Sequence, residues 1–291
     1  MRPNRLIVIT GPTGSGKTAL AIETARRLGT EIISADSRQL YRDIPVGTAA
    51  PTAEQLAAVP HHFVGTLPLD AYYSAAEFEA DVMRLLPDIF ARCGGTAVMC
   101  GGSMMYIDAV CRGIDDLPTI SDEIREHCRK LWLEEGTSGI IARLEKIDPE
   151  YLRIVDLQNH RRLVHALEIS IEAGVPYSSL RTGQPKRRPF EILKFAIDLP
   201  REELFARINA RVTAMVDNGL IDEGRRVYPL RHLNSLNTVG YKELFAHFDG
   251  LMDLPTALDR IRKNTRVYAK KQLTWLRRDP TLLPPDALQA L

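Results

Sequence analysis

The chain has 291 residues, long enough for one large domain or two modest ones with ample core. Apolar content of 45% and charged content of 26% are ordinary for a globular protein. No apolar run approaches the ~18 residues of a membrane-spanning helix, so no membrane partner is expected, and a net charge of +1 decides nothing about polyanionic partners. The N-terminus enters a strand almost at once, so no secretory leader is expected. Cys93, Cys100, Cys111 and Cys128 show no C-x-x-C pairing and read as reduced thiols of a cytoplasmic protein, not as a disulfide framework or zinc site.

An apolar run from Leu6 to Ile9 predicts the first strand. Gly11-Pro12-Thr13-Gly14-Ser15-Gly16-Lys17-Thr18 follows, and Ala19, Leu20, Ile22 and Ala25 then recur at helical spacing. Strand, glycine-rich turn and helix are the context that G-x-x-x-x-G-K-[ST] requires. The glycines let the backbone curl so that N–H groups face one concavity, and the helix start adds partial positive charge. Lys17 supplies a mobile cation for terminal phosphate oxygens, and the Thr18 hydroxyl can ligate Mg²⁺. The motif implies a bound di- or triphosphate without saying which.

Glu31–Ser34 reads as a second buried strand ending at Asp36. In an open α/β sheet, ligands sit beyond the carboxyl ends of the strands, so this carboxylate is placed to face them. Its alternative role is to cap a helix over Ser37–Tyr41. A short helix is expected from Pro51-Thr52, and His61-His62 fall in loop context without metal-ligand spacing. Ser74 to Glu77 form a capping box ahead of an amphipathic helix marked by Phe78, Val82, Leu85, Leu86 and Ile89. Thr96–Cys100 predicts a third strand that ends in Gly101-Gly102-Ser103. Many phosphate-loop hydrolases place an acid there to orient Mg²⁺ and water. With Asp36 as the only nearby strand-end acid, transfer onto an organic acceptor fits better than hydrolysis.

From Ser121 to Leu180 the pattern is purely helical, with helices expected over Asp122–Glu135, Gly139–Lys146, Pro149–Val155 and Asn159–Ala173. Strand character returns over Phe190–Leu199. The fold expected is therefore α/β: a phosphate-loop NTPase-like core over 1–120 and 186–291, its mostly parallel sheet flanked by helices, with an all-helical subdomain inserted at 121–185. Helices follow at Arg201–Asn218, Ile221–Tyr228, Val239–Phe248 and from Pro255 to about Arg278. Between Arg260 and Arg278 lie Arg260, Arg262, Lys263, Arg266, Lys270, Lys271, Arg277 and Arg278, with no acid among them. A basic stripe of this kind is a footprint for a polyanion, or simply a solvated helix face. Tyr268 and Trp275, seven apart, serve equally as base-stacking or core residues. No exposed heptad pattern appears, so a monomer is expected.

Together these segments resemble the bacterial tRNA dimethylallyltransferases, also called tRNA isopentenyltransferases. The matching stretches are 11–18, Ile-Ser-Ala-Asp-Ser-Arg-Gln-Leu-Tyr (33–41), Gly-Thr-Ala (47–49), Tyr-Ser-Ala (73–75), Gly-Gly-Ser (101–103), His-Ala-Leu-Glu (165–168), Val-Gly-Tyr-Lys-Glu (239–243) and Tyr-Ala-Lys-Lys-Gln-Leu-Thr-Trp-Leu-Arg (268–277). They run in the family's order across nearly the whole chain, and the last two are the most specific. The resemblance implies prenyl transfer from dimethylallyl diphosphate to the exocyclic amine of the adenosine 3′ to the anticodon, in tRNAs reading codons that begin with U. The phosphate loop then holds the leaving diphosphate, with Mg²⁺ on Thr18, and Asp36 is the base. Ser103 stands beside the target base where threonine is usual, and Arg125 on the arginine near the reaction centre. Asp36, Ser37, Arg38, Gln39, Ser103, Arg125, Arg161, Arg162, His165, Gly240, Tyr241, Lys242, Lys270, Lys271 and Arg277 are the expected tRNA contacts. Two positions depart from the pattern: His165 replaces a common arginine, and Ala50 replaces a lysine after Gly-Thr-Ala. The rival readings are an isopentenyltransferase acting on free adenine nucleotides, a small-molecule kinase with ATP in the cradle, and an RNA-binding protein with a vestigial nucleotide site. The basic C-terminal helix and the helical insertion favour tRNA over a free nucleotide.

Overall fold

The structure, a computed structural model, describes residues 3–291. They form two compact units, one comprising the residues up to Arg112 together with Arg187–Leu291, the other Gly113–Lys186. In the first unit β1 (Arg5–Thr10) enters α1 (Lys17–Leu28), followed by β2 (Ile32–Ala35), α2 (Ala53–Ala58), β3 (His61–His62), α3 (Ala75–Arg92), β4 (Thr96–Gly101) and α4 (Met104–Arg112). The second unit holds α5 (Asp122–Ile147), α6 (Pro149–Leu152), α7 (His160–Ala173) and α8 (Tyr177–Leu180). The chain returns to the first unit with β5 (Glu191–Ala196), α9 (Arg201–Asp217), α10 (Leu220–Val227), α11 (Tyr241–Phe248) and α12 (Leu254–Leu276).

The sheet has five strands in the order β3-β2-β4-β1-β5, and all pairings are parallel. A strand in the middle of such a sheet is covered on both faces, which explains the unbroken apolar run of β1. Leu6 and Val8 join the cluster under α3 and α4, whereas Ile7 and Ile9 join the one under α1, as a period of two requires. Register places the strand ends level: Thr10 lies opposite both Gly101 and Ala196, and Ala35 lies opposite Gly101. The phosphate loop, Asp36 and the Gly102-Ser103 turn therefore leave the sheet at one edge.

Several expected elements shift. His61 and His62 form the short edge strand β3 instead of a loop. His62 Nε2 meets Glu31 Oε2 at 2.6 Å, and Arg92 grips the same carboxylate with two hydrogen bonds. The Arg92 guanidinium, aided by His62, holds Glu31 down at about 2, so this histidine is structural. Ser37–Leu40 fold as turns, not a helix. The expected pair of helices over 122–146 is present: α5 is two helices meeting at Gly136, whose φ of 66° and ψ of −163° are not helical. The helical unit runs from Gly113 to Lys186, a little beyond the 121–185 expected. Its core includes Asp148, whose carboxylate accepts from the backbone N–H groups of Tyr151 and Ser178 and from the Ser178 hydroxyl. All four cysteines are free thiols. Among the described residues no helix is long and apolar enough to cross a membrane.

A Cβ at Gly101 would overlap the carbonyl group of Ala35. Gly101→Ala is therefore expected to force β2 and β4 apart, with a loss of about 2–3 kcal/mol in urea unfolding, the range of an overpacked core.

Candidate active site

At the level edge of the sheet lies a cavity of about 660 Å³, lined among others by Thr13, Lys17, Thr18, Asp36, Ser103 and Arg211. The phosphate loop is shaped by Gly11, Gly14 and Gly16, which take φ of 153°, 83° and 95°. A Cβ on Gly11 would press on the Ser15 hydroxyl and the Ile197 carbonyl, and one on Gly14 would press on Ile208. Gly16 is the left-handed N-cap of α1, and the first N–H groups of that helix have no intrahelical acceptor. Pro12 and Ser15 are buried within the loop, and the Ser15 hydroxyl has no partner among the described residues. Not every amide of the loop faces the cavity free. Thr13 N–H donates to Gln272 Oε1 at 2.8 Å, which corrects the expectation that the whole run points at phosphate.

Lys17 Nζ donates to the Pro12 carbonyl at 2.8 Å. Burial pushes its pKa down to about 8, with the charges of Cys100 and Asp36 pulling upward and Arg211 pushing down. Arg211, from α9, is also lowered by burial and raised by Asp36. Two cations thus converge on the loop, and both feel Asp36. The Asp36 Oδ1 atom accepts from Arg38 N–H at 2.9 Å and, more weakly, from Gln39 N–H at 3.4 Å. Among the described residues no donor reaches Oδ2. The capping of a helix is thus corrected to the fixing of a turn, by one oxygen, and the other oxygen stays available to a ligand.

Ser103 holds the opposite wall. Its N–H donates to the Ala35 carbonyl at 3.1 Å, and its Oγ accepts from Ser37 N–H at 2.8 Å. Gln39 donates its amide to the carbonyl groups of Thr48 and Ala49, which fixes the 47–49 loop. Arg38 donates to the carbonyl groups of Asn234 and Ser235. Glu223, buried on α10, holds the same loop by accepting from Val46 N–H, Gly47 N–H and the Tyr241 hydroxyl.

Tyr241 is fully buried, so its expected place as a tRNA contact is corrected: its ring packs against Gly47, and its hydroxyl serves Glu223. Gly240 is likewise buried, at the wall of the cavity, whereas Lys242 is exposed at the same wall. On α12, Lys270 and Lys271 are exposed, as is Arg277 just past its end, and Lys271 lines the cavity. Arg266, expected on the basic face, is tied to Asn209 at 2.6 Å and lies over the Phe205 ring. Trp275 is anchored by its indole N–H to Asp108, a core role, while Tyr268 lines the cavity. Arg125, Arg161, Arg162 and His165 all belong to the helical unit. There Arg125 and Arg161 line a smaller pocket floored by Trp132 stacked on His160. Arg162 and His165 are exposed on α7. Arg211, Glu223 and Gln272 were not singled out from sequence; each reaches the site from a distant helix, and no local pattern marks it.

A phosphate loop at the level edge of a parallel sheet, with a carboxylate facing its lysine, defines a phosphate-loop α/β protein with its ligand site beyond the strand ends. The family model for IPP transferase matches residues 39–279, and the chain belongs to that family. It is 53% identical to tRNA dimethylallyltransferase 2 of Parabacteroides distasonis, over 99% of this chain and 97% of the relative. Among solved structures, the full-length tRNA isopentenylpyrophosphate transferase of Bacillus halodurans is 34% identical with a TM-score of 0.70, covering 97% of this chain and 89% of that one. A eukaryotic dimethylallyltransferase acting on tRNA reaches a TM-score of 0.82 at 25% identity, covering 97% and 74%.

Inorganic pyrophosphate affinity, taken as the ratio of wild type to Lys17→Met so that the anion's own ionisations cancel, should be flat below about pH 8 and fall above it. There the free Lys17 loses its proton and must regain it to pair with the anion. Calorimetric titration of both proteins across that range checks this, and a ratio without a break would remove Lys17 as the cation that titrates.

Proposed function

We propose that the chain transfers a dimethylallyl group from dimethylallyl diphosphate to the N6 amine of the adenosine 3′ to the anticodon of tRNA, in tRNAs reading codons that begin with U. The observation that carries this reading is a single cavity into which the phosphate loop, Asp36 and Ser103 project from adjoining strand ends. The names of its relatives support it: they are tRNA dimethylallyltransferases and tRNA isopentenylpyrophosphate transferases.

In the reaction N6 attacks the allylic carbon, the bond from that carbon to the diphosphate oxygen breaks, and the N6 proton passes to a base. An exocyclic aromatic amine is a weak nucleophile, so proton removal must accompany bond formation. Asp36 is the base, with Oδ1 held by its turn and Oδ2 left to accept. Lys17, Arg211 and the amides at the start of α1 stabilise charge growing on the leaving diphosphate. Ser103 orients the adenine from the wall it shares with Ser37.

Mg²⁺ fits this donor set. Among the described residues no group of three His, Cys, Asp or Glu could cage a metal. Thr18 offers one hydroxyl, and Mg²⁺ in phosphate sites takes most of its ligands from phosphate and water. Bound there, it would supply further neutralisation of the leaving group. The tRNA is held by the exposed Lys242, Lys270, Lys271 and Arg277 of the first unit. Arg125, Arg161, Arg162 and His165 hold it on the helical unit, which serves as a clamp on the anticodon stem-loop. The target base leaves its stack to react. The enzyme acts as a monomer in the cytoplasm.

A transfer assay with labelled dimethylallyl diphosphate, Mg²⁺ and either unmodified tRNA or AMP tests this, with product expected on tRNA alone. Asp36→Asn should lower turnover by about 10²–10⁴-fold while leaving pyrophosphate affinity within about twofold. Near-normal turnover would remove Asp36 as the base. Affinity for tRNA should fall about a hundredfold over a roughly fourfold rise in salt, the response to neutralising about four or five phosphates; a flat response would remove the basic helix as the RNA surface.

A further inference from the structure

Gln272 sits on α12 with only 3% of its surface exposed, and both ends of its amide are engaged by backbone. Oε1 accepts from Thr13 N–H, in the phosphate loop, at 2.8 Å. Nε2 donates to the Gly102 carbonyl, in the turn after β4, also at 2.8 Å. The two partners fix the orientation of the amide, since one is a pure donor and the other a pure acceptor. A Cβ on Gly102 would collide with Gln272 Nε2, so the approach is close on that side as well.

The two walls joined in this way do different chemistry in the reading above. Thr13 belongs to the diphosphate cradle. Gly102 precedes Ser103, whose Oγ holds Ser37 N–H beside Asp36. We propose that Gln272 is a positioning residue: it fixes the spacing between the leaving-group cradle and the base-side wall, and so the distance over which N6 meets the allylic carbon. Displacement of reacting groups by about 1 Å can cost about a hundredfold in rate. An apolar side chain at 272 would take the acceptor from the half-buried Thr13 N–H and leave the Gly102 carbonyl only its long contact with the Tyr268 hydroxyl, at 3.5 Å, so each wall would lose its tie to α12. Lys271, the preceding residue on α12, lines the same cavity from an exposed position. The helix that offers cations to RNA is thus the helix that holds the cradle.

The inference rests on the proposed transfer reaction, and two variants test it. Gln272→Met removes both hydrogen bonds at similar volume. It should lower kcat about ten- to a hundredfold, with KM for tRNA within about threefold of wild type. Gln272→Glu is sharper. A protonated carboxyl can accept from Thr13 and donate to Gly102, as the amide does, whereas the carboxylate turns an oxygen against the Gly102 carbonyl. Burial and that carbonyl favour the neutral acid and raise its pKa. The ratio of Gln272→Glu to wild-type kcat should therefore rise as pH falls from about 9 to about 6. The other charged or ionisable side chains lining the cavity, Lys17, Asp36, Arg38, His61, Cys100, Arg211, Lys242, Glu243, Tyr268 and Lys271, are common to both proteins, so the ratio isolates the introduced carboxyl. Gln272→Met should show no such rise.

A kcat for Gln272→Met within about threefold of wild type, or a flat ratio for Gln272→Glu, would overturn the assignment. If Gln272→Met does not fold, the pH ratio decides alone, because a general loss of folded Gln272→Glu protein would lower that ratio equally at every pH and would not make it rise as pH falls. A wild-type chain that transfers nothing would instead sink the proposed reaction. Pyrophosphate affinity of Gln272→Glu against wild type, over the same pH range, then tests the link to the cradle without any acceptor.

Discussion

The close approach of β2 and β4 at their carboxyl ends is the constraint on which the site depends. Ala35 and Gly101 face each other across the ladder, and only the missing side chain of Gly101 lets the two backbones meet. Because Thr10 is level with Gly101 on the other side, one register fixes three exits from the sheet. The cradle after β1, the carboxylate after β2 and the serine after β4 then stand within one cavity without any long loop to position them. A slip of one residue in the β2–β4 pairing would turn every side chain of β2 to the opposite face.

The sheet supplies the floor, and the helices after β5 supply the walls. Ile208 on α9 packs against Gly14, and Arg211, one turn further on, brings a second cation to the loop. Glu223 on α10 and Tyr241 on α11 hold the 46–47 stretch that continues into Thr48 and Ala49, whose carbonyl groups secure Gln39. Buried polar groups in this wall are therefore satisfied mainly by backbone, which fixes loop positions more tightly than contacts between mobile side chains do. The low local dielectric that depresses Lys17 also strengthens its attraction for a multiply charged anion.

Legibility from sequence followed the range of the interactions. The phosphate loop was readable because its glycines, lysine and threonine act within eight consecutive residues between a strand and a helix. Asp36 was readable as a strand-end acid, and the Ser74–Glu77 capping box announced its helix. Gln272 was not readable, because its partner Thr13 lies 259 residues away and a glutamine amid basic residues looks like a solvated position. Tyr241 misled for a related reason: it belongs to a stretch specific to the family, and only the fold shows that its ring fills the space over Gly47. The basic stripe was legible as charge but not as geometry, since Arg266 is tied to Asn209 and both Arg266 and Lys270 lie over the Phe205 ring, whereas Lys271 lines the cavity. The break at Gly136 was legible, since the helical pattern stops at Glu135 and resumes at Gly139, and a glycine in that gap can take the positive φ found there.

The placement of β5 bears on how the chain acquires its shape during synthesis. Its partner β1 is made near the start, but β5 emerges only after the whole helical unit, and α12 later still. Until then β1 has one exposed flank and Thr13 lacks its glutamine. Contacts this distant along the chain are slow to close, and unpaired strand edges invite wrong neighbours. A nascent chain halted anywhere before the last long helix would carry every residue of the anion-binding loop and still lack the brace that sets it, so the capacity to act arrives late and nearly all at once.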